Sequence, residues 1–322
     1  MAVIGTDDIT SLSRQYVVPK IVDAVYTSNP FFFRLHQAGK IVPGGTQAEM
    51  PFLYAAPTNG GSYTGYDVLN IDPSENVKNG VWEWKQYYQP VTIDGLTMIK
   101  SDSPEAVANL LNVKFKIARM AMADNLGTDA LRYDSADATK LDSVQRANDD
   151  GTVASSYAGL TRSSNTWLNA TEDSATATLT LDKMQTLYGN VSEGGHEPTL
   201  ILSRQEQYNR YWNMLTPIQR HNQASDADLN RAGGAGFSNL TFNAATWCVD
   251  SHVADGANSS NSRIEFLTED FWVLETYKGR NFYLEPFQSG IVQDAYVSKL
   301  LWAGRLRCEN PARNGNFSAI TA

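Results

Sequence analysis

Two stretches that read as β-strand flank a polar connection of unusual length, and this constrains the 322-residue chain more than any other feature. Ile41-Val42 runs into a Pro43-Gly44-Gly45 turn, and extended structure resumes from Ala48 to Ala55. Trp82 to Ile99 alternates imperfectly and is rich in aromatic and β-branched residues, as strands are. Between them, Pro57 to Gly80 is punctuated by Asn59-Gly60-Gly61, Gly65, Asp72-Pro73 and Lys78-Asn79-Gly80. Gly tolerates positive φ and Pro fixes it, so these are turn formers. A structureless connection this long argues against a compact monomer unless it has a task. A hairpin that protrudes onto another subunit removes the conflict.

Composition agrees. Charged residues are 19%, below the roughly 25% usual in soluble domains, which suggests surface later hidden against other subunits. The 42% hydrophobic content is enough to fill a large core. Lys and Arg number 26 against 35 Asp and Glu, a net charge of −9. A groove that grips DNA through its phosphates leaves a basic excess, so nucleic-acid binding is disfavoured as the main task. Cys248 and Cys308 cannot make a disulfide framework or a four-thiolate zinc site. The start lacks the basic and apolar regions of a signal peptide, and no apolar run is long enough to span a bilayer. The expectation is a soluble protein made in a cytoplasm, without membrane contact.

Near the start, Lys20 to Tyr26 is a short helical candidate, followed by Asn29-Pro30-Phe31-Phe32-Phe33-Arg34-Leu35. Three consecutive Phe cannot all face one side of a small element. They form either a buried helix start or an arm whose aromatics anchor on a neighbouring chain. Ser103-Pro104-Glu105 opens a helix with a cap hydroxyl, Pro at the first position and an acid at the positive dipole end. It runs to Leu126, about 33 Å at 1.5 Å per residue, with Gly127 able to interrupt it. Val107, Leu110, Leu111, Ala118, Ala121 and Met122 mark its apolar stripe, and Lys114, Lys116 and Arg119 a solvated face or a contact for a subunit or phosphate.

Residues 133 to 178 read as irregular or weak β. Thr180 caps a helix carrying Met184, Leu187, Tyr188 and Val191, ended by Gly194-Gly195. A buried strand from Thr199 to Leu202 follows, and Ser203-Arg204-Gln205-Glu206 reads as a capping box for a helix through Leu215. Gln219 to Gly236 reads as an exposed loop. Strand candidates recur at Leu240 to Val249, Ile264 to Leu267, Phe271 to Thr276, Asn281 to Phe287 and Ala295 to Cys308, the last broken at Gly304. The tail from Asn310 to Phe317 is dominated by turn residues.

Catalytic patterns are missing. There is no P-loop, dinucleotide glycine pattern or His-Glu-x-x-His. Ser203 follows a strand, but Ile201 and Gln205 stand where a nucleophile elbow needs glycine. The four histidines are scattered, and Asp250-Ser251-His252 near Cys248 reads as a turn rather than a metal site. Asp149-Asp150 reads as a solvated pair in a polar loop. No catalytic residue, cofactor or metal is expected, and the chain is not read as an enzyme.

The order of parts is more informative: short arm, long two-stranded loop, long helix, β segment, inserted α/β subdomain, final long strand. It resembles the major capsid protein of tailed bacteriophages, the Hong Kong 97-type fold, an α+β fold. Short collinear stretches are similar to one branch of that family: Asn29-Pro30 with Phe31 to Phe33, Pro51-Phe52-Leu53-Tyr54, Gly61-Ser62-Tyr63-Thr64-Gly65-Tyr66-Asp67, Trp84-Lys85-Gln86-Tyr87, Ile93-Asp94-Gly95-Leu96, Gly279-Arg280-Asn281-Phe282 and Leu301-Trp302-Ala303-Gly304. The resemblance covers roughly residues 20 to 317. It implies an N-terminal arm (1–40), an extended loop with its flanking strands (41–102), and a peripheral domain with a spine helix (103–177). An axial domain (178–278) and a completion of the peripheral domain (279–322) follow.

The resemblance further implies hexamers and pentamers in an icosahedral virion shell around double-stranded DNA, assembled in the host bacterial cytoplasm. The DNA would be contacted weakly, which suits the acidic balance. A portal, decoration proteins and a scaffolding protein would be partners, the scaffold separate because the chain enters its arm within about 20 residues of Met1. The same fold also serves encapsulin-like compartments, the alternative reading. Phe31, Phe32, Phe33, Tyr63, Tyr66, Trp82 and Trp84 are the expected inter-subunit anchors. Some members cross-link a loop lysine to a neighbour's asparagine. Lys78 lies in the loop, but no matching Asn or Glu stands out, and no cross-link is expected.

Overall fold

The computed structural model describes residues 30–100, 104–133, 137, 139–215, 240–256, 261–289 and 294–321. The helical candidate Lys20 to Tyr26 and the loop Gln219 to Gly236 lie outside them. The first element, helix α1 (Pro30–Ala38), settles the Phe-rich stretch as a buried helix start. Pro30 occupies its first position, where a missing N–H costs nothing. Phe31, Phe32 and Leu35 are buried, and Phe31 meets Trp272 edge-on at 5.9 Å. Arg34 holds the helix down through two 2.5 Å bonds to the Glu269 carboxylate.

Strand β1 (Lys40–Val42) is followed by a two-stranded ribbon, β2 (Gln47–Leu53) and β3 (Val77–Glu83), which pairs with no other strand among the described residues. β4 (Lys85–Asp94) ends at the Asp94–Ala295 pair, where its partner strand begins. With no ladder left, residues 95–100 coil into helix α2 (Gly95–Lys100) instead of continuing the strand expected to Ile99. The long helix α3 (Pro104–Ala130) passes through Gly127 without interruption and is about 40 Å long. Residues 133–178, expected to be irregular or weak β, hold short strands β5 (Ser156–Tyr157), β6 (Leu160–Thr161) and β7 (Thr171–Asp173), with a helical turn α4 (Val144–Ala147) not expected there.

Thr180 caps α5 (Leu181–Val191) by accepting from the Lys183 N–H, and Met184, Leu187, Tyr188 and Val191 are its buried face, as the spacing predicts. Gly194 and Gly195 both take positive φ after it. β8 (Leu200–Ser203) is buried throughout and leads to α6 (Gln205–Leu215). Ser203 is the last strand residue, not a helix cap. Its Oγ accepts from Trp247 Nε1 at 2.7 Å and donates to the Arg204 carbonyl. The indole buried beside it wins the hydroxyl.

The stretch Leu240–Val249 is a hairpin, β9 (Leu240–Phe242) and β10 (Ala245–Val249), turning at Asn243 with φ 50°. β11 (Asn261–Leu267) and β12 (Trp272–Tyr277) follow, then the short β13 (Tyr283–Leu284) and β14 (Gln288–Ser289). β15 (Ala295–Cys308) runs 14 residues unbroken through Gly304. A Cβ at Gly304 would sit 2.4 Å from the Trp302 ring and 2.8 Å from the Glu275 carbonyl. The glycine therefore admits a close approach rather than breaking the strand. The turn-rich tail is irregular and 3-10 helical from Asn310 to Asn314, as expected, but its last residues, Gly315 to Phe317, open strand β16 (Gly315–Thr321), almost wholly buried. Asn314 accepts from the Thr268 N–H and Trp272 Nε1, so this turn former is used inside the core.

Two six-stranded sheets result. In the first, β15 pairs antiparallel with β4, β12, β13 and β14, and β1 adds parallel to β12. Its core is closed by α1, one face of α3 and the base of the ribbon. The second runs β7-β16-β11-β8-β10-β9, mixing parallel and antiparallel pairs, and is packed by α5 and α6. The chain crosses between them repeatedly: segment 279–322 supplies β13 to β15 to the first sheet and β16 to the second.

Candidate assembly surfaces

The base of the ribbon is locked by aromatic packing. Phe52 lies 5.9 Å from Trp82 and 5.3 Å from Trp167, Trp82 meets Tyr157 edge-on, and Tyr54 stacks on Trp167 at 5.8 Å. Gly80 permits this, since a Cβ there would lie 2.3 Å from the Phe52 ring. Lys78 donates to Asn165 Oδ1 at 2.8 Å within the same subunit. Among the described residues neither is paired with a carboxylate.

Beyond Leu53 the connection leaves the core. Tyr54 N–H bonds the Asn76 carbonyl and Asn59 Nδ2 the Asp72 carbonyl, keeping the two limbs together. Nearly all of residues 57–76 are exposed. Tyr66 and Val68 are essentially bare, and Tyr63, Leu69 and Ile71 are also exposed. Exposed apolar groups this concentrated mark an interaction surface.

The expected anchors therefore divide. Tyr63 and Tyr66 sit on this loop with their rings free. Phe31, Phe32 and Trp82 are at most 3% exposed and have no area to offer a neighbour. Their bulk fills the subunit's own core, where transfer from water is most favourable, and the expectation that they present themselves outward is corrected. Trp84 is half-buried: its Nε1 donates to the Gly45 carbonyl at 2.7 Å, and Arg305 sits 4.1 Å over its ring. The Phe33 side chain lies outside the described set.

A second surface was not read from the sequence. α3 buries Leu111, Phe115, Ala118, Met122 and Leu126, but Val113, Ile117 and Met120 are 55–60% exposed. Steps of four and three put these on one bare face, beside the exposed Lys114 and Lys116. The signal was present as a second apolar stripe, masked by the stronger one.

The other polar groups are bound up structurally. His252 bridges Asp250 Oδ1 (2.8 Å) and Asp124 Oδ1 (3.1 Å), tying the turn after β10 to α3. The hydrogen bond its ring donates to Asp250 is the main reason its pKa is raised. Burial pushes the Cys248 thiol up to about 11 and Cys308 to about 12, so neither is a thiolate near neutrality. Asp149 is fully buried rather than solvated, accepting from the Gly151 and Ala154 N–H groups. Burial, helped by repulsion from Asp149 and Asp150, raises Glu172 to about 7.

No family profile matches the chain, and no curated protein matches it significantly in sequence. Solved structures do. A capsid asymmetric unit of cyanophage A-1(L) superposes with a TM-score of 0.63 over 92% of this chain and 93% of its own, at 11% identity. This is the fold of phage capsid proteins. The capsid of an empty GTA particle shares the capsid fold with a TM-score of 0.56, 9% identity and 89% and 96% coverage. So does the SrpI encapsulin complex of Synechococcus elongatus PCC 7942, at 0.55, 10% identity and 89% and 88% coverage. On this capsid fold, the loop at 57–76 and the bare face of α3 are apolar surfaces left exposed among the described residues.

Proposed function

We propose that the chain is the major capsid protein of a tailed phage, assembling into hexamers and pentamers of an icosahedral shell around double-stranded DNA. The observation that carries this is the capsid fold over nearly the whole chain, with a connection whose apolar side chains stand exposed among the described residues. Lateral shell contacts need area that compact faces alone do not provide, and reaching segments supply it. In this reading 1–40 is the arm, 41–102 the extended loop and its strands, and 103–177 the peripheral domain with α3 as spine. Residues 178–278 are the axial domain and 279–322 the completion. Tyr63 and Tyr66 anchor on the neighbouring subunit, and Val68, Leu69 and Ile71 join them. The chain acts without catalysis, assembles in the host cytoplasm, and works with a scaffold, a portal and decoration proteins. Its net charge of −9 suits a wall that holds the genome weakly.

Negative-stain electron microscopy with light scattering on the purified protein tests the reading. Closed shells, tubes or discrete pentamers and hexamers are expected. A monomer that persists at high concentration and with a co-expressed scaffold would overturn it. The encapsulin match carries a second reading, a compartment with protein cargo. Nuclease-protected double-stranded DNA in particles from the natural source separates the two.

A further inference from the structure

Three carboxylates from separate parts of the fold converge. Asp149 and Asp150 follow α4, Glu172 lies on the edge strand β7, and one oxygen of each falls within 4.8 Å of the others. Charges this close repel, and a counter-charge has to offset them. The nearby guanidinium groups offset them only in part: Arg263 acts on Glu172 but pairs directly with Glu265, and Arg162 faces Asp149 and Asp150 but gives its terminal nitrogens to the Arg146, Ala147, Asp149 and Leu168 carbonyls.

A second observation points to the same place. Asn316 on β16 stands directly opposite Glu172 on one side and Glu265 on the other, so all three rise from one face of the sheet. It is fully buried; its Nδ2 donates to the Asn148 main-chain oxygen, while its Oδ1 has no partner among the described residues. The fully buried Asn148, next to Asp149 in the chain, leaves its Oδ1 unpartnered as well, and the buried Oε2 of Glu172 does the same. Buried acceptors without a donor are rare, and each calls for an explanation. The Asn316 and Glu172 oxygens lie on neighbouring strands at the cluster and Asn148 precedes Asp149 in the chain, and an electropositive occupant would satisfy them.

We infer that this junction is a divalent-cation site, with Asp149, Asp150 and Glu172 as carboxylate ligands and the amide oxygens of Asn148 and Asn316 available to complete the shell. All these donors are hard oxygens, without His or Cys, which selects Ca²⁺ or Mg²⁺ over zinc. Ca²⁺ fits best, because it accepts irregular sets of carboxylate and amide oxygen. Asp150 and Glu172 are only half-buried, which leaves a side open to solvent. The bound ion would fasten the segment after α4, whose Val144 and Ala147 pack in the first core, to the edge of the second sheet. This inference stands apart from the shell reading, because the site lies within one subunit.

The test uses the full-length protein, stripped with chelator and titrated with calcium chloride, reading bound metal by equilibrium dialysis and stability by thermal melting. One calcium per chain is expected, with Tm raised by about 4 °C at calcium a hundred times Kd. Glu172→Gln and Asp150→Asn, which keep the side-chain shapes, each lose about tenfold or more in affinity. In chelator both melt at or above the unsubstituted protein, since repulsion is relieved. Absence of stoichiometric calcium or magnesium uptake by the unsubstituted protein, or uptake undiminished in both variants, overturns the site. So does stabilisation by acid without metal uptake, because a proton then fills the role.

Discussion

At the scale of the residue, identity alone does not say which side of the surface an aromatic serves. Trp82 and Tyr66 both belong to the extended ribbon and its loop, yet one is 2% exposed and the other fully bare. Trp82→Ala should cost about 3–5 kcal/mol in chemical denaturation of the subunit. Tyr66→Ser should change subunit stability by less than about 0.5 kcal/mol while lowering the yield of assembled particles in electron microscopy. Gly304→Ala tests the close approach of β12 and β15: with the Trp302 ring and Glu275 carbonyl in the way, a loss of about 1–3 kcal/mol is expected.

His252 gives a pH dependence. The Asp250 and Asp124 carboxylates that face it favour the imidazolium, so its folded pKa lies above the roughly 6.5 of the unfolded chain. That stabilisation is fully present below about pH 6.5 and is lost as pH rises through the folded pKa. Melting measured from pH 5.5 to 8.5 should show the loss, and Asp124→Asn should shrink it by a few tenths of a kcal/mol, Asp124 being largely exposed. An identical profile in the variant would leave Asp124 without a role.

At the scale of the element, local signals were most readable where one rule acted alone. The cap and spacing of α5, the Pro start of α3 and the extent of β15 follow from propensity and period. The misreadings share a cause: β16 carries Asn and Gly, turn formers in isolation, but pairing with β11 and β7 overrides them. The ribbon loop is separable from the core, because the lock at Phe52, Gly80 and Trp82 lies below it. Replacing residues 59–72 by a short Gly-Ser turn should leave the circular dichroism and melting of the isolated subunit unchanged while abolishing shells. A subunit that unfolds would show that the loop also supports the fold.

For the whole molecule, the proposed assembly has a consequence as concentration rises: association covering Tyr63, Tyr66 and their neighbours would stabilise the folded state by mass action. The apparent melting temperature should therefore rise with protein concentration, and the loop-shortened variant should show no such rise. Equal behaviour of both would place the association elsewhere.

The sequence by itself determined the protruding connection, the long helix and the α–β–α run, which depend on periodicity and turn chemistry and are local. The class of fold was legible only through the resemblance carried by the collinear order of those parts. Only the tertiary structure decided which aromatics are spent inside, that Ser203 serves Trp247, that Asp149 is buried beside Glu172, and that Val113, Ile117 and Met120 stay bare. Each of those depends on which distant segment arrives alongside, and burial is a property of that meeting rather than of the residue.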